Sequence, residues 1–285
     1  MRCVWLSALV TATACYGPTL APGLPCGTNG ACPDGLVCAP STFTCELTEI
    51  PADTLEGDAP SVADAPPITP GYAPCPPNDA RLVACYAFEG DTDDSSLNAN
   101  HATIAEAVSY TTGVNGNALV HASTSDVRVP ESPSLDVTSA MTVDAGVRID
   151  ASGPGNPRAM IVDHADGYAL YLENGGVPTC AITQVNGPNR RASGTTRLET
   201  DRWTHLACTV RSATLRLYVD GVLVDTAAVS APIATASTNG TRLGGNVPDT
   251  VNPTDDPFLG AIDQLRIWNA ALSSSEICEA ANCTP

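Results

Sequence analysis

The 285 residues suffice for one sizeable buried core with appendages. Thirty-one acids stand against thirteen basic residues, all of them arginine, for a formal charge of −18. That balance argues against a reader of nucleic acid or of anionic membrane surfaces, both of which need neutralising cations. Twelve cysteines, without a CxxC pair or a histidine-rich neighbourhood, exclude a zinc framework and read as disulfide partners in a chain that folds in an oxidising compartment.

From the N-terminus, Arg2 precedes an apolar run from Val4 to Val10, and small residues lead to Cys15. Residues 1–14 read as a secretory signal, too short to cross a bilayer as a helix. Ala12-Thr13-Ala14-Cys15 resembles a bacterial lipobox. The resemblance implies lipidation of Cys15, membrane attachment through that lipid only, and display at the outer membrane or cell surface; ordinary secretion with cleavage nearby is the alternative. After a Pro/Gly tether (15–25), Cys26, Cys32, Cys38 and Cys45 crowd into residues 26–45, a module stapled by two bridges in one of three pairings. Its CPxGxxC pattern resembles small cysteine-rich extracellular modules, acting as a rigid spacer or as a partner contact. Residues 46–74 hold six acids, six prolines and no base; such a segment cannot repay its ordering entropy and reads as an extended linker.

Residues 75–285 read as one domain of short strands separated by Gly, Asn, Asp and Pro. Strands are expected at Leu82–Phe88, Val127–Val129, Met141–Ile149, Met160–Val162, Tyr168–Leu172, Cys180–Val185, Thr241–Leu243 and Ile262–Trp268. The clearest pattern lies between Trp203 and Ala227. Leu206, Cys208 and Val210 alternate, the pattern breaks at Ser212-Ala213, and Leu215, Leu217 and Val219 resume against Arg216, Tyr218 and Asp220. Asp220-Gly221 then makes a hairpin turn into Val222-Leu223-Val224. Three such strands cannot hide their apolar face alone, so an opposing sheet is required and an all-β sandwich follows. Ser273-Ser274-Ser275-Glu276 is the single helical signal.

Five segments in order resemble the LamG-like, concanavalin A-like jelly rolls: LVACYAFEGDTDDSSLNANHAT, GVNGNALVHASTSDVRVPESPSLD, RWTHLACTV, LRLYVDGVLV and FLGAIDQLRIWNAALSSSEI. The resemblance covers about residues 82–277 and implies two curved antiparallel sheets. It also implies a structural calcium where the first and last long strands meet, with Asp263, Glu89 and Asp91 as candidate ligands beside backbone carbonyls; hard oxygen donors suit that ion. Asp91-Thr92-Asp93-Asp94-Ser95 is no EF-hand, because Ser96 and Ala102 stand where that loop needs glycine and an acid.

The six cysteines of the domain, Cys75, Cys85, Cys180, Cys208, Cys278 and Cys283, allow fifteen pairings. The preferred set joins Cys180 to Cys208 across neighbouring strands and Cys278 to Cys283 in the tail, leaving Cys75 with Cys85.

Trp203 and Trp268 could stack a sugar ring, but they read as packing residues at strand ends. His205 reads as a hydrogen-bonding histidine and Asp163-His164-Ala165-Asp166-Gly167 as a polar turn. Glycoside hydrolases of this architecture set paired carboxylates on alternate positions of one strand, about 5 Å apart. No strand here does so: Asp144 and Asp150 lie six residues apart. GxSxG, HExxH and phosphate-cradling glycine loops are also absent from the sequence. The expected function is therefore a non-enzymatic surface module that binds a glycan or an extracellular or envelope protein, with Asn189, Arg190 and Arg191 as candidate contacts in a polar loop. A cell-envelope scaffold without a small ligand is the alternative, and a hydrolase a minor one. Oligomeric state is left open.

Overall fold

The computed structural model describes residues 72–283 apart from 77, 107, 156, 236–239 and 248–255, together with 24–25, 32, 36–39 and 44–47. The chain divides into two compact units, Met1–Asp64 and Ala65–Pro285. Among the described residues no helix is long and apolar enough to cross a membrane. The signal segment, Cys15 and Cys26 lie outside the described residues.

In the first unit, β1 (Leu24–Pro25), β2 (Leu36–Ala39) and β3 (Thr44–Leu47) form a small sheet in the order β1-β3-β2. Cys38 stands opposite Cys45 in its ladder, and Cys32 and Cys38 are each disulfide-bonded.

The second unit is a sandwich of two antiparallel sheets. Its strands are β4 (Leu82–Tyr86), β5 (Thr103–Glu106), β6 (Ser109–Thr112), β7 (Asn117–His121), β8 (Asp126–Val129), β9 (Met141–Ile149), β10 (Ala159–His164), β11 (Tyr168–Glu173) and β12 (Val177–Ile182). β13 (Arg190–Ser193), β14 (Trp203–Arg211), β15 (Thr214–Val219), β16 (Val222–Ala228), β17 (Thr241–Leu243) and β18 (Gly260–Trp268) complete them, and α1 (Ser274–Ala280) follows. One sheet has seven strands in the order β13-β12-β11-β10-β17-β8-β5. The other has eight, in the order β16-β15-β14-β9-β18-β7-β6, with β4 paired to β18 beyond β7.

Two-residue periodicity builds the core between them. Val143, Ala145, Val147 and Ile149 of β9, with Leu206, Cys208 and Val210 of β14, face Leu170, Leu172, Cys180 and Ile182 of the opposing sheet. Both hairpins of the meander close through two residues with positive φ, the twist-matched geometry for such turns. Asp220 and Gly221 lie at 47° and 79°, and Ser212 and Ala213 at 48° and 61°.

Three disulfides, Cys75–Cys85, Cys180–Cys208 and Cys278–Cys283, fasten the unit. The partners are those preferred from the sequence, but Cys180–Cys208 does not join neighbouring strands. Cys180 sits on β12 of one sheet and Cys208 on β14 of the other. Each lies in register with inward-facing residues, Leu170 and Ala192 for Cys180 and Val143 and Leu217 for Cys208, so the bond crosses the core from sheet to sheet.

Candidate functional site: two outer faces and one open depression

Much of the outer face of the eight-stranded sheet is occupied by the protein itself. Trp268, Leu82, Cys85, Tyr218, Leu272 and Ile277 bury one another there, bringing α1 onto the sheet. Ser273 caps that helix reciprocally with Glu276, as the sequence signals. Residues 72–76 form a strap along the same face. Ala73 N donates to Ala280 O and Cys75 N to Gln264 Oε1, and the Tyr72 ring meets His205 edge-on with centroids 5.2 Å apart. Tyr72 is 5% exposed, so the end of the segment read as a linker belongs to the sandwich; a lone aromatic among prolines finds a seat over Gly146, where a Cβ would lie 2.7 Å from its ring.

Beneath the strap lies a buried ionic network. Asp144 accepts from Arg266 Nε at 2.8 Å and from Trp268 Nε1 at 2.8 Å, is bridged also by Arg266 Nη2, and meets His205 Nε2 at 3.1 Å. Burial pushes the Asp144 carboxyl up, but Arg266 and His205 outweigh it and hold it below the usual range. Arg266 Nη1 donates to Ala73 O, which ties the strap to the network. Asp144 is thus spent on structure, and Trp268 is packing, as the sequence suggests. Trp203 is half-buried with the Arg148 guanidinium 5.3 Å over its ring.

Asp263 stands on the same sheet. One extra residue between Asp263 and Arg266 shifts the register against β9, so that Asp263 faces Gly146 and Arg266 faces Asp144; both side chains therefore leave on the outer side. Asp263 Oδ2 accepts from Val114 N at 2.8 Å and Asn115 N at 3.0 Å. Its Oδ1 is buried and makes no hydrogen bond of sound geometry, and burial, offset only in part by Asn115, Val114 and the adjacent Gln264, pushes its pKa up to about 6. Glu89 reaches the same 113–117 turn, with Oε2 accepting from Asn117 N at 2.9 Å. Gly113 and Gly116 make room for these two carboxylates, since a Cβ at either would overlap them. Asp91, by contrast, is exposed and turns its Oδ1 to Asp93 N. Among the described residues no group of three Asp, Glu, His or Cys side chains is placed to hold a metal ion. The unfilled lone pairs of Asp263 Oδ1 fit a hard cation, and the remaining donors would be backbone carbonyls and Glu89.

The outer face of the seven-stranded sheet carries an open depression of about 270 Å³. Ala169, Tyr171 and Ala181 form its floor, Arg158, Asn189, Arg191 and Asn246 its rim, and the 163–167 turn closes one end. Small residues on adjoining strands keep the floor low, and Tyr171, 3% exposed, lies buried within it. Its hydroxyl donates to Glu173 Oε1 at 3.3 Å, and burial first, then Glu173, raises its pKa. Arg191 pairs with Glu173 at 2.8 Å and Arg158 with Asp256 at 2.6 Å.

The sequence groups Asn189, Arg190 and Arg191 as one basic loop. The structure separates them, because residues from 190 to 193 are a strand and neighbours on a strand face opposite ways. Arg191 lies beside outward Ala181, whereas Arg190 lies beside core residue Ile182, and Arg190 Nε is buried without a hydrogen-bond partner. Arg158, Tyr171 and Asn246 were not singled out from the sequence. Alternation along β11 points to Tyr171 as outward-facing, but Arg158 and Asn246 come from turns whose path no periodicity reports.

Asp163-His164-Ala165-Asp166-Gly167 is the β10–β11 hairpin. Asp163 Oδ2 accepts from Val247 N, His164 Nδ1 meets Thr241 Oγ1 at 2.8 Å, and Asp166 takes a φ of 58°. Burial lowers the His164 pKa.

Residues 121–278 match the family model described as the concanavalin A-like lectin/glucanases superfamily. The match spans more than half the chain, and the chain belongs to that superfamily. No curated protein matches it. Among solved structures, similarity extends to domain 4 of AbnA, a GH43 extracellular arabinanase from Geobacillus stearothermophilus, in complex with arabinotriose. That match has 24% identity and a TM-score of 0.54, and covers 70% of this chain and 98% of that one. The binding domain of botulinum neurotoxin DC is similar in its complex with SialylT, at 13% identity and a TM-score of 0.54 over 70% of this chain and 50% of that one. The same domain in complex with rat synaptotagmin II gives 12% identity and a TM-score of 0.55 over 71% and 51%. The chain thus spans about half the length of the neurotoxin domains, and at these identities the likeness is one of fold.

Proposed function

We propose that the sandwich is a non-enzymatic binding module that takes a glycan, or a protein surface, on the outer face of its seven-stranded sheet. The contrast between the two faces carries this reading. The strap and α1 cover much of one, while the other presents a shallow polar depression over the buried Tyr171, with arginines and asparagines at its rim as the directed donors that sugar recognition uses. Similar folds in complex with arabinotriose, SialylT and synaptotagmin II support binding as the role. Asn189 and Arg191 are contacts in this proposal, joined by Arg158; Arg190 is not, and the buried Tyr171 supports the floor from below. A structural calcium on Asp263 Oδ1 and Glu89 belongs to the same reading, as does display outside the cytoplasm, supported by the disulfides and by the signal ending at Cys15, the proposed lipid anchor.

A glycan array probed with the protein tests the reading. The expected result is retention of one glycan class, weakened about tenfold or more by Arg191→Ala, the loss of one charge-assisted contact, with no sugar released. Release of reducing ends from the retained glycan would overturn the non-enzymatic reading, and binding indifferent to Arg191→Ala would overturn the site.

A further inference from the structure

We infer that the eight-stranded sheet carries a second site, an anion site for a phosphate or sulfate group, built on Arg211 and Arg216. It lies where the cover of that sheet stops, in a depression of about 390 Å³ lined by Arg211, Arg216, Thr209, Tyr218, Ser273 and Ser274. Register puts the two arginines together. Thr209 of β14 faces Arg216 of β15, Arg211 is two residues on from Thr209 and so on the same face, and Arg216 Nη1 approaches Arg211 O at 3.5 Å.

The charge pattern sets this pair apart. Arg81, Arg128, Arg158, Arg191, Arg202, Arg242 and Arg266 each lie within 4.0 Å of a carboxylate. Arg148, Arg190, Arg197, Arg211 and Arg216 have no ion pair among the described residues; Arg148 lies over the Trp203 ring and Arg190 Nε is buried, whereas Arg211 and Arg216 meet in one depression that no Asp or Glu lines. The acid beside Ser273 is Glu276, already bound by Ser273 N at 2.7 Å and by Arg81 at 2.8 Å. Two uncompensated guanidinium groups side by side in a chain of charge −18 repel one another, and an anion between them relieves that repulsion. The guanidinium donors arrive from two neighbouring strands, and the Tyr218–Ser274 hydroxyl pair lies beside them, while the Ser273 hydroxyl is committed to Glu276. A carboxylate offers two oxygens to such a spread of donors; a phosphate or sulfate offers three or more, and guanidinium groups grip them in pairs.

The full-length protein, titrated calorimetrically with inorganic phosphate and with sulfate at constant ionic strength, tests the site. Saturable binding is expected, weakened about tenfold or more by Arg211→Gln and by Arg216→Gln and unchanged by Arg197→Gln, an equal loss of charge elsewhere. A second arm uses phosphatidylcholine vesicles with and without phosphatidic acid. Arginine-dependent binding to the acidic vesicles alone assigns the site to a lipid headgroup, and binding of the free anions assigns it to a soluble ligand. No saturable binding in either arm, or binding that survives the double substitution, would overturn the inference. Because the glycan depression lies on the other sheet, Arg191→Ala leaves this titration unchanged whether or not a glycan is ever found.

Discussion

Asp263 carries a buried carboxylate oxygen without a hydrogen-bond partner, and its pKa makes that measurable. Held at about 6 by burial, it binds a proton in the folded chain between its ordinary value of 3.8 and about 6, where the unfolded chain has released it. Stability from this group therefore falls as pH rises through that window, and the full cost, about 1–3 kcal/mol, is present above it. Asp263→Asn should raise the melting temperature in chelator at neutral pH and lose that advantage below the ordinary carboxyl pKa. Millimolar calcium should stabilise the wild type and leave Asp263→Asn unmoved; an equal calcium shift in both would remove calcium from Asp263. His164 and His121 act in the opposite sense, since burial lowers both pKa values. The unfolded chain takes up their protons first as pH falls below the ordinary 6.5, so their contribution is full above that value and lost below it. Melting curves of His164→Gln should therefore fall less steeply with acid than those of the wild type, and equal slopes would contradict the neutral, buried ring. The outer position of Asp263 on the last long strand was legible from the family pattern. Its empty lone pairs were not, because they depend on which backbone amides the 113–117 turn happens to offer.

Among the elements, those with strict alternation declared themselves and those without did not. β9, β14 and β15 stand where the apolar periodicity puts them, β18 stands where its apolar run puts it although a bulge breaks the alternation, and Asp220-Gly221 turns as its dipeptide demands. β5 and β6 lie at the margins of their sheets with largely exposed residues, so no buried face stamps a pattern on them. β13 hid in a Gly-Pro-Asn context that reads as loop. The strap was hidden more deeply, since its proline-rich composition is that of a linker and, besides the Tyr72 ring, backbone hydrogen bonds and the Cys75–Cys85 bond that no pattern announces hold it down. Gly146→Ala tests that seat, for its Cβ would strike the Tyr72 ring. The substitution should cost about 1–3 kcal/mol as overpacking and open chymotryptic cleavage after Tyr72 in the otherwise native protein. Unchanged stability and protection would contradict the strap.

For the whole molecule, the decisive feature is that the two outer faces differ. The sandwich itself was legible, because a greasy meander needs an opposing sheet and the family landmarks run in order. Which face stays open was not, since that depends on a strap and a terminal helix folding back over strands far away in sequence. The bond between Cys180 and Cys208 holds the two sheets together through the core, and removing both sulfurs with Cys180→Ala and Cys208→Ala should lower stability by about 3–4 kcal/mol for a loop of 28 residues. A loss well under 1 kcal/mol would mean that packing alone sets the spacing of the sheets. The most direct measurement of the account is hydrogen exchange on the protein with and without the glycan class retained by the array. Protection confined to β11, β12 and the turns bearing Arg158, Asn189 and Asn246 is the predicted result, and protection on the strap and α1 with the seven-stranded sheet unaffected would contradict it.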